Sequence, residues 1–265
     1  MSTQNEFWSA CRNGDLDKVK YLMKKCKEII VSTISTCDNY GNTPIHILCL
    51  TSNLSNVEIM RYLMKECKDK VISIMYITNN NNETPFFMLC YYNNLEMMKY
   101  LIKECWEVIV YIISIRNKYG STSFYWLCNH NRLEIITYLI ENCGDMIRSI
   151  ISLPDIYGET SLHVLCFYRR FKIINYLVET CRDIIAPTIY IENKKGITPF
   201  YWLCFSGYVE IIKCLSENCR NEVLKAMYIP GYRTTPLYCL CNNGSLEIIQ
   251  VLIDNDIINE TNIEL

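Results

Sequence analysis

A four-residue turn signature recurs six times along this 265-residue chain, and its spacing limits what the chain can fold into. Tetrads resembling Gly-x-Thr-Pro occupy residues 41–44, 82–85, 120–123, 158–161, 196–199 and 233–236. Their threonines, Thr43, Thr84, Thr122, Thr160, Thr198 and Thr235, fall 41, 38, 38, 38 and 37 residues apart. Self-similarity at a fixed period of a few tens of residues marks a repeat architecture, in which each unit is one supersecondary element that cannot bury its apolar face alone.

Each unit follows one grammar. An Asp or Asn stands three residues ahead of the Gly position (Asp38, Asn79, Asn117, Asp155, Asn193), where its side chain favours a turn by bonding to nearby backbone. Gly41, Gly120, Gly158 and Gly196 supply a positive φ without a Cβ penalty. The Thr suits a helix N-cap, and Pro44, Pro85, Pro199 and Pro236 suit the first helical position. A short apolar helix follows, then a polar tip, then a second helix with apolar residues at helical spacing, as at Ile135, Ile136, Leu139, Ile140 and Cys143. Glu58, Glu96, Glu134, Glu210 and Glu247 fall in the first turn of that helix, where its dipole favours an acid; Lys172 departs from this rule.

The motif resembles the ankyrin repeat, whose signature is Thr-Pro-Leu-His-x-Ala at a period of about 33 residues. The nearest matches are Thr43-Pro44-Ile45-His46-Ile47-Leu48-Cys49 and Thr160-Ser161-Leu162-His163-Val164-Leu165-Cys166. The resemblance covers nearly the whole chain and implies an all-α fold, an α-solenoid of stacked ankyrin-type helix-pair repeats. It also implies that His46 and His163 tie neighbouring turns by hydrogen bonds. On this reading residues 1–265 form a single ankyrin repeat domain. Its approximate repeats are 1–37 as an N-terminal cap, 38–78, 79–116, 117–154, 155–192 and 193–230, with 231–265 as a C-terminal cap. Atypical end units keep a solenoid from exposing an apolar end face, so the chain reads as complete. The polar stretch 254–265 fits that role. The lengthened period places about five extra residues after each second helix, rich in Ile, Val and Met. They either extend that helix or form a short third one, and Pro187 should interrupt them in one repeat. Repeat 38–78 carries three further residues around 51–56, expected to lengthen its tip loop.

Two ladders of cysteine share fixed repeat positions: Cys11, Cys49, Cys90, Cys128, Cys166, Cys204 and Cys241, then Cys26, Cys67, Cys105, Cys143, Cys181 and Cys219. Cys37, Cys214 and Cys239 stand outside them. A metal array or thiol ladder is one reading; small apolar side chains at fixed core sites is the other. Stacked helices lie about 8–10 Å apart, beyond the roughly 7 Å that a disulfide spans between Cα atoms. No Cys-x-x-Cys suggests zinc. No secretory signal opens the chain, so free thiols in a reducing, cytoplasmic compartment are expected. That compartment would be the host cytoplasm if the source is a virus or an intracellular pathogen. A net charge of −2 and the absence of a long apolar run weigh against nucleic-acid partners and membrane insertion. No nucleophile, base and orienting acid group together. The chain is therefore expected to be a monomeric, non-enzymatic scaffold without catalytic residues, bound metal or cofactor, binding a protein or peptide. A thiol- or metal-binding protein is the alternative.

In the ankyrin family the turn tips and inner-helix surface line a concave groove that grips partners. Transferred to this sequence, that places Tyr40, Lys118, Tyr119, Tyr157, Lys194 and Lys195 at turn tips. Tyr91, Tyr92, Phe167, Tyr168 and Phe205 fall just past the inner helices, and His130 at a loop tip expected to be solvated. Tyr suits interfaces because it offers large area with few rotamers. Arg233 joins the turn-tip lysines, and Arg132, Arg169 and Arg170 lie at the helix-hairpin loops; together they weakly suggest an acidic partner face, with ordinary solvated side chains the favoured reading. Trp126 and Trp202, within inner helices, and Tyr62, Tyr100, Tyr138 and Tyr176, in second helices, read as core. If the inner-helix leucines are core, Leu165→Ala costs about 2–5 kcal/mol. A urea denaturation midpoint that barely moves would refute that assignment.

Overall fold

The computed structural model describes residues 2–231 and 234–259, and they are helical throughout, with one isolated bridge between Gly231 and Thr234. The helices pack into two compact units, residues 1–126 and 127–265. Unit 1 contains α1 (Thr3–Asn13), α2 (Leu16–Thr33), α3 (Pro44–Cys49), α4 (Leu54–Met75), α5 (Pro85–Tyr92), α6 (Leu95–Glu104) and α7 (Trp106–Ile112). The boundary falls within α8 (Ser123–Asn129). Unit 2 continues with α9 (Leu133–Ile150), α10 (Ser161–Phe167), α11 (Phe171–Ile185), α12 (Pro199–Ser206), α13 (Val209–Asn218), α14 (Arg220–Met227), α15 (Pro236–Asn242) and α16 (Leu246–Asp254). Within each unit, inner helices stack on inner helices and outer on outer: α1, α3 and α5 against α2, α4 and α6, then α10, α12 and α15 against α9, α11, α13 and α16.

The turn grammar of the sequence is realised atom by atom. Asp38, Asn79, Asn117, Asp155 and Asn193 each accept two backbone N–H bonds, from the residues two and four positions on, at 2.8–3.1 Å. Gly41, Gly120, Gly158 and Gly196 have φ between 71° and 80°, and Asn82 takes the same left-handed position at 59°. Asn79 and Asn82 thus hold the two positions that shape this turn. Thr43, Thr84, Thr198 and Thr235 cap α3, α5, α12 and α15 through their hydroxyls, with Pro at the first helical position.

Consecutive turns are tied to each other. His46 Nδ1 accepts the Thr43 N–H at 3.1 Å, so Nε2 carries the proton and donates it to the Glu83 carbonyl at 3.1 Å. His163 repeats this between Thr160 and Ile197, with the second bond at 3.0 Å. Tyr201 stands at the same position and reaches the Thr234 hydroxyl at 3.1 Å, so a phenol takes over the bridging role. Backbone bonds reinforce it: Asn80 N–H to the Tyr40 carbonyl at 3.0 Å, Lys118 to Asn81 at 2.7 Å, and Lys194 to Tyr157 at 2.8 Å.

The extra residues form a short third segment, because the backbone bends at every cysteine of the second ladder. Cys26, Cys67, Cys105, Cys143, Cys181 and Cys219 leave the helical region, with φ between −155° and −132° and ψ between 27° and 52°. Each interrupts one outer helix and starts the next piece: Cys105 N–H closes α6 on the Leu101 carbonyl at 2.8 Å, and the Cys105 carbonyl accepts from Val108 at 3.0 Å. In repeat 155–192 the third piece is a 3-10 turn, Ala186–Tyr190, holding Pro187. Proline lacks the N–H that an α-helix would need there.

Three expectations need correcting. The additional residues of repeat 38–78 do not simply lengthen a loop; Leu54, Ser55 and Asn56 form an added first turn of α4, capped by Asn53. Cys241 leaves its ladder and is exposed, while Cys26 and Cys67 are half-buried. The tail is not uniformly polar surface, since Ile257 and Ile258 are buried and Ile257 N–H returns to the Leu252 carbonyl at 2.8 Å; residues 260–265 lie outside the described residues.

Burial holds His46 and His163 neutral, pulling each down to about 4. An unfolded imidazole takes its proton near 6.5, so the stability from each depressed group is complete above that pH. It is lost as pH falls toward 4, about 3 kcal/mol per histidine. His163→Gln keeps an N3 side chain able to reach the N-cap but not the proton site. Its denaturation midpoint should be lower than wild type at pH 7 and fall less steeply between pH 6.5 and 4; parallel curves would contradict the assignment.

Candidate functional site

The turn tips leave their outermost side chains to solvent because the Asx bonds and the ladder between turns already satisfy the backbone beneath. Tyr40 is 75% exposed. Tyr119 and Tyr157 are exposed at the same turn position, and Lys118 places its ammonium 5.0 Å from the Tyr119 ring centroid. Lys194 and Lys195 are exposed beside Tyr157, joined to it by the Lys194 N–H. Arg233 lies outside the described residues.

The inner helices carry a second set of aromatics. In unit 1, half-buried Tyr91 lies 4.7 Å from exposed Tyr92 and 5.3 Å from Trp126, which also meets Phe87 edge-on at 6.0 Å. In unit 2 the set is larger. Phe167 and Tyr168 lie 4.9 Å apart, Phe167 meets Trp202 edge-on at 5.1 Å, and Trp202 meets Phe205 at 6.2 Å. Phe167 is 50% exposed, Tyr168 47% and Phe205 53%. Edge-to-face packing of this kind fixes rings relative to one another. The result is an ordered aromatic ridge along α10 and α12.

Trp126 and Trp202 were expected in the core and are instead half-buried members of these ridges. The apolar runs around them, such as Phe200-Tyr201-Trp202-Leu203-Cys204-Phe205, contain no polar residue to reveal which face looks outward. Tyr62, Tyr138 and Tyr176 are likewise half-buried, whereas Tyr100 is buried.

The hairpin loops of unit 2 add cations. Arg170 places its guanidinium 5.5 Å from the Tyr168 ring centroid and donates to the Asn129 carbonyl at 3.3 Å. Arg169 stacks over Tyr208 at 4.1 Å, on the rim of a cavity of about 540 Å³ lined also by Phe171, Gly207 and Glu210. His130 is half-buried here rather than freely solvated. Burial, then Arg132 and Arg170, push its imidazole below its ordinary value.

The family model for ankyrin repeats, three copies long, matches residues 67–149 and 179–263, more than half of the chain. The chain belongs to the ankyrin repeat family. No curated protein matches it significantly. Ankyrin repeats are in general protein-interaction modules, and this ankyrin chain has the all-helical, paired-helix repeats of that family. Among the described residues no helix is long and apolar enough to cross a membrane, and no three of His, Cys, Asp and Glu converge on a metal-sized site.

Several buried thiols of this ankyrin chain are poor nucleophiles. Burial pushes Cys11, Cys49, Cys90, Cys128 and Cys166 well above the ordinary thiol range, Cys143 to about 11 and Cys219 to about 12. Thiolate is the reactive and metal-binding form, so these seven cysteines are disfavoured in both roles. Cys37 and Cys241 are exposed. Titration of the native protein with an aromatic disulfide reagent should therefore show two fast thiols, lost in Cys37→Ser/Cys241→Ser, with most others reacting only after denaturation. Rapid reaction of the first-ladder cysteines other than Cys241 would reverse this reading.

Proposed function

We propose that this protein is a non-enzymatic interaction scaffold that binds a protein or peptide through the aromatic faces of its inner helices and the adjoining turn tips. The observation that carries the reading is the ridge of Phe167, Tyr168, Trp202 and Phe205. Three of its members are about half exposed although stacked in fixed order. Exposed aromatic area costs solubility, and a contiguous, ordered patch of it marks an interaction site. Rigid rings on helices also lose little entropy on binding. The turn-tip residues Tyr40, Lys118, Tyr119, Tyr157, Lys194 and Lys195, with Tyr91, Tyr92 and His130, supply further contact area on this reading. The burial of the cysteine ladders favours it over thiol or metal chemistry.

The test is affinity capture with full-length protein from cells of its source, read by mass spectrometry, comparing wild type with Phe167→Ser/Phe205→Ser and with Tyr40→Ser/Tyr119→Ser. The ridge variant should lose the bound protein at least tenfold, with its unfolding free energy within about 1 kcal/mol of wild type, as expected for exposed positions. Retention of every bound protein by both variants would defeat the proposal.

A further inference from the structure

The loop joining α10 to α11 breaks two local rules at once. At the joint after the inner helix the backbone is left-handed in Gly14, Asn93, Asn131, Gly207 and Gly244, with φ of 57–70°; the same conformation falls on Arg169, at 58°. Gly and Asn adopt it readily, whereas a longer L side chain is strained there. The following residue is the N-cap of the outer helix. Asp15 and Asn94 fill that position in α2 and α6 and accept from Lys18 N–H at 2.9 Å and Met97 N–H at 3.2 Å, whereas Tyr208 and Ser245, at the start of α13 and α16, form no such bond. In α11 the N-cap is Arg170 and in α9 it is Arg132, and neither side chain caps its helix. A guanidinium at a helix N-terminus stands at the wrong end of the dipole. The first turn of α11 contains no acid, and Lys172 lies in it.

Neither Arg169 nor Arg170 is spent on a carboxylate of the chain. Arg169 and Arg170 form no ion pair among the described residues; Arg170 Nε is buried without a partner, and its Nη2 holds a neutral carbonyl. The cluster runs directly into the ridge: Arg170 to Tyr168, Tyr168 to Phe167, Phe167 to Trp202, Trp202 to Phe205, each step 4.9–6.2 Å. Residues that sacrifice local stability at one place, beside an exposed apolar face, point to a function there.

From this juxtaposition we infer that unit 2 recognises a peptide segment carrying both aromatic or aliphatic anchors and an acidic side chain. The anchors pack on Phe167, Trp202 and Phe205. The carboxylate pairs with the Arg170 guanidinium, assisted by Arg132, beside the uncapped N-terminus of α11. A charge-assisted bond of this kind is stronger than a neutral one, and cations at the rim of an apolar patch select among partners by charge. The inference rests on the ridge being a partner-binding face, and it adds the charge of the partner.

Three fluorescein-labelled dodecapeptides test it against the full chain by fluorescence anisotropy: one alternating Asp with Leu and Trp, one with Lys for Asp, and one with Ser for Leu and Trp. The acidic apolar peptide should bind at least tenfold more tightly than either control and weaken as salt rises. Arg132→Asn/Arg169→Gly/Arg170→Asn should lose at least tenfold in affinity while its denaturation midpoint rises, because a cap and an unstrained joint are restored. Arg132→Lys/Arg170→Lys should retain most of the binding. Equal affinity for the acidic and basic peptides, or no effect of removing the arginines while Phe167→Ser/Phe205→Ser still weakens binding, overturns the acidic partner and leaves the ridge intact. Binding of none of the three, or tighter binding of a labelled single-stranded RNA through the same arginines, overturns it as well.

Discussion

A hairpin of two short helices has apolar faces but no interior, so each repeat is ordered only against its neighbours. This constraint explains where the chain spends its specific chemistry. Inner helices bury a Leu-Cys pair at the contact, with Leu48, Leu89, Leu165 and Leu203 fully buried in their units. The turns, too short to form a core, are held by directed hydrogen bonds: an Asx side chain within each turn and an imidazole or phenol to the next. Apolar burial drives the stacking and the polar turn fixes its register. Neither suffices alone, since burial is non-directional and isolated hydrogen bonds contribute about 1 kcal/mol each.

The parts legible in the sequence are those where backbone geometry demands a residue type. A left-handed turn asks for Gly or Asn, a helix start asks for Thr with Pro behind it, and both recur at fixed spacing; the family resemblance follows from them. The bend at the second cysteine ladder was not legible as a bend. A cysteine inside a helix and a cysteine at a break read alike, and continued or broken helices have the same spacing of apolar residues. The added turn of α4 looked like loop because insertions usually go there, yet Asn53 offers a cap that starts the helix early.

The candidate site divides along the same line. Phe167, Tyr168 and Phe205 sit at the end of an inner helix beside a polar loop, and that position alone suggests exposure. Trp202 lies inside an apolar run where no polar residue marks the outward face, and only packing shows it completing the ridge. The significance of Arg169 and Arg170 requires the helix start to be placed to within one residue, which sequence spacing cannot do. Once placed, two ordinary surface arginines become a strained joint and a missing cap. The ridge itself stands on helices whose buried sides are locked by neighbours, so its geometry is prepared before any partner arrives.

The bends at the second ladder have a consequence for how this protein comes apart. They divide the outer layer into short pieces, among them the seven residues of α7, the eight of α14 and the five of the 3-10 turn. Helices below about 12–15 residues barely persist alone in water. Each piece therefore borrows its order from the layer beneath it. Loss of that support should expose all its amides to exchange in one step, making a segment of two helical turns, rather than a whole helix, the grain of local opening.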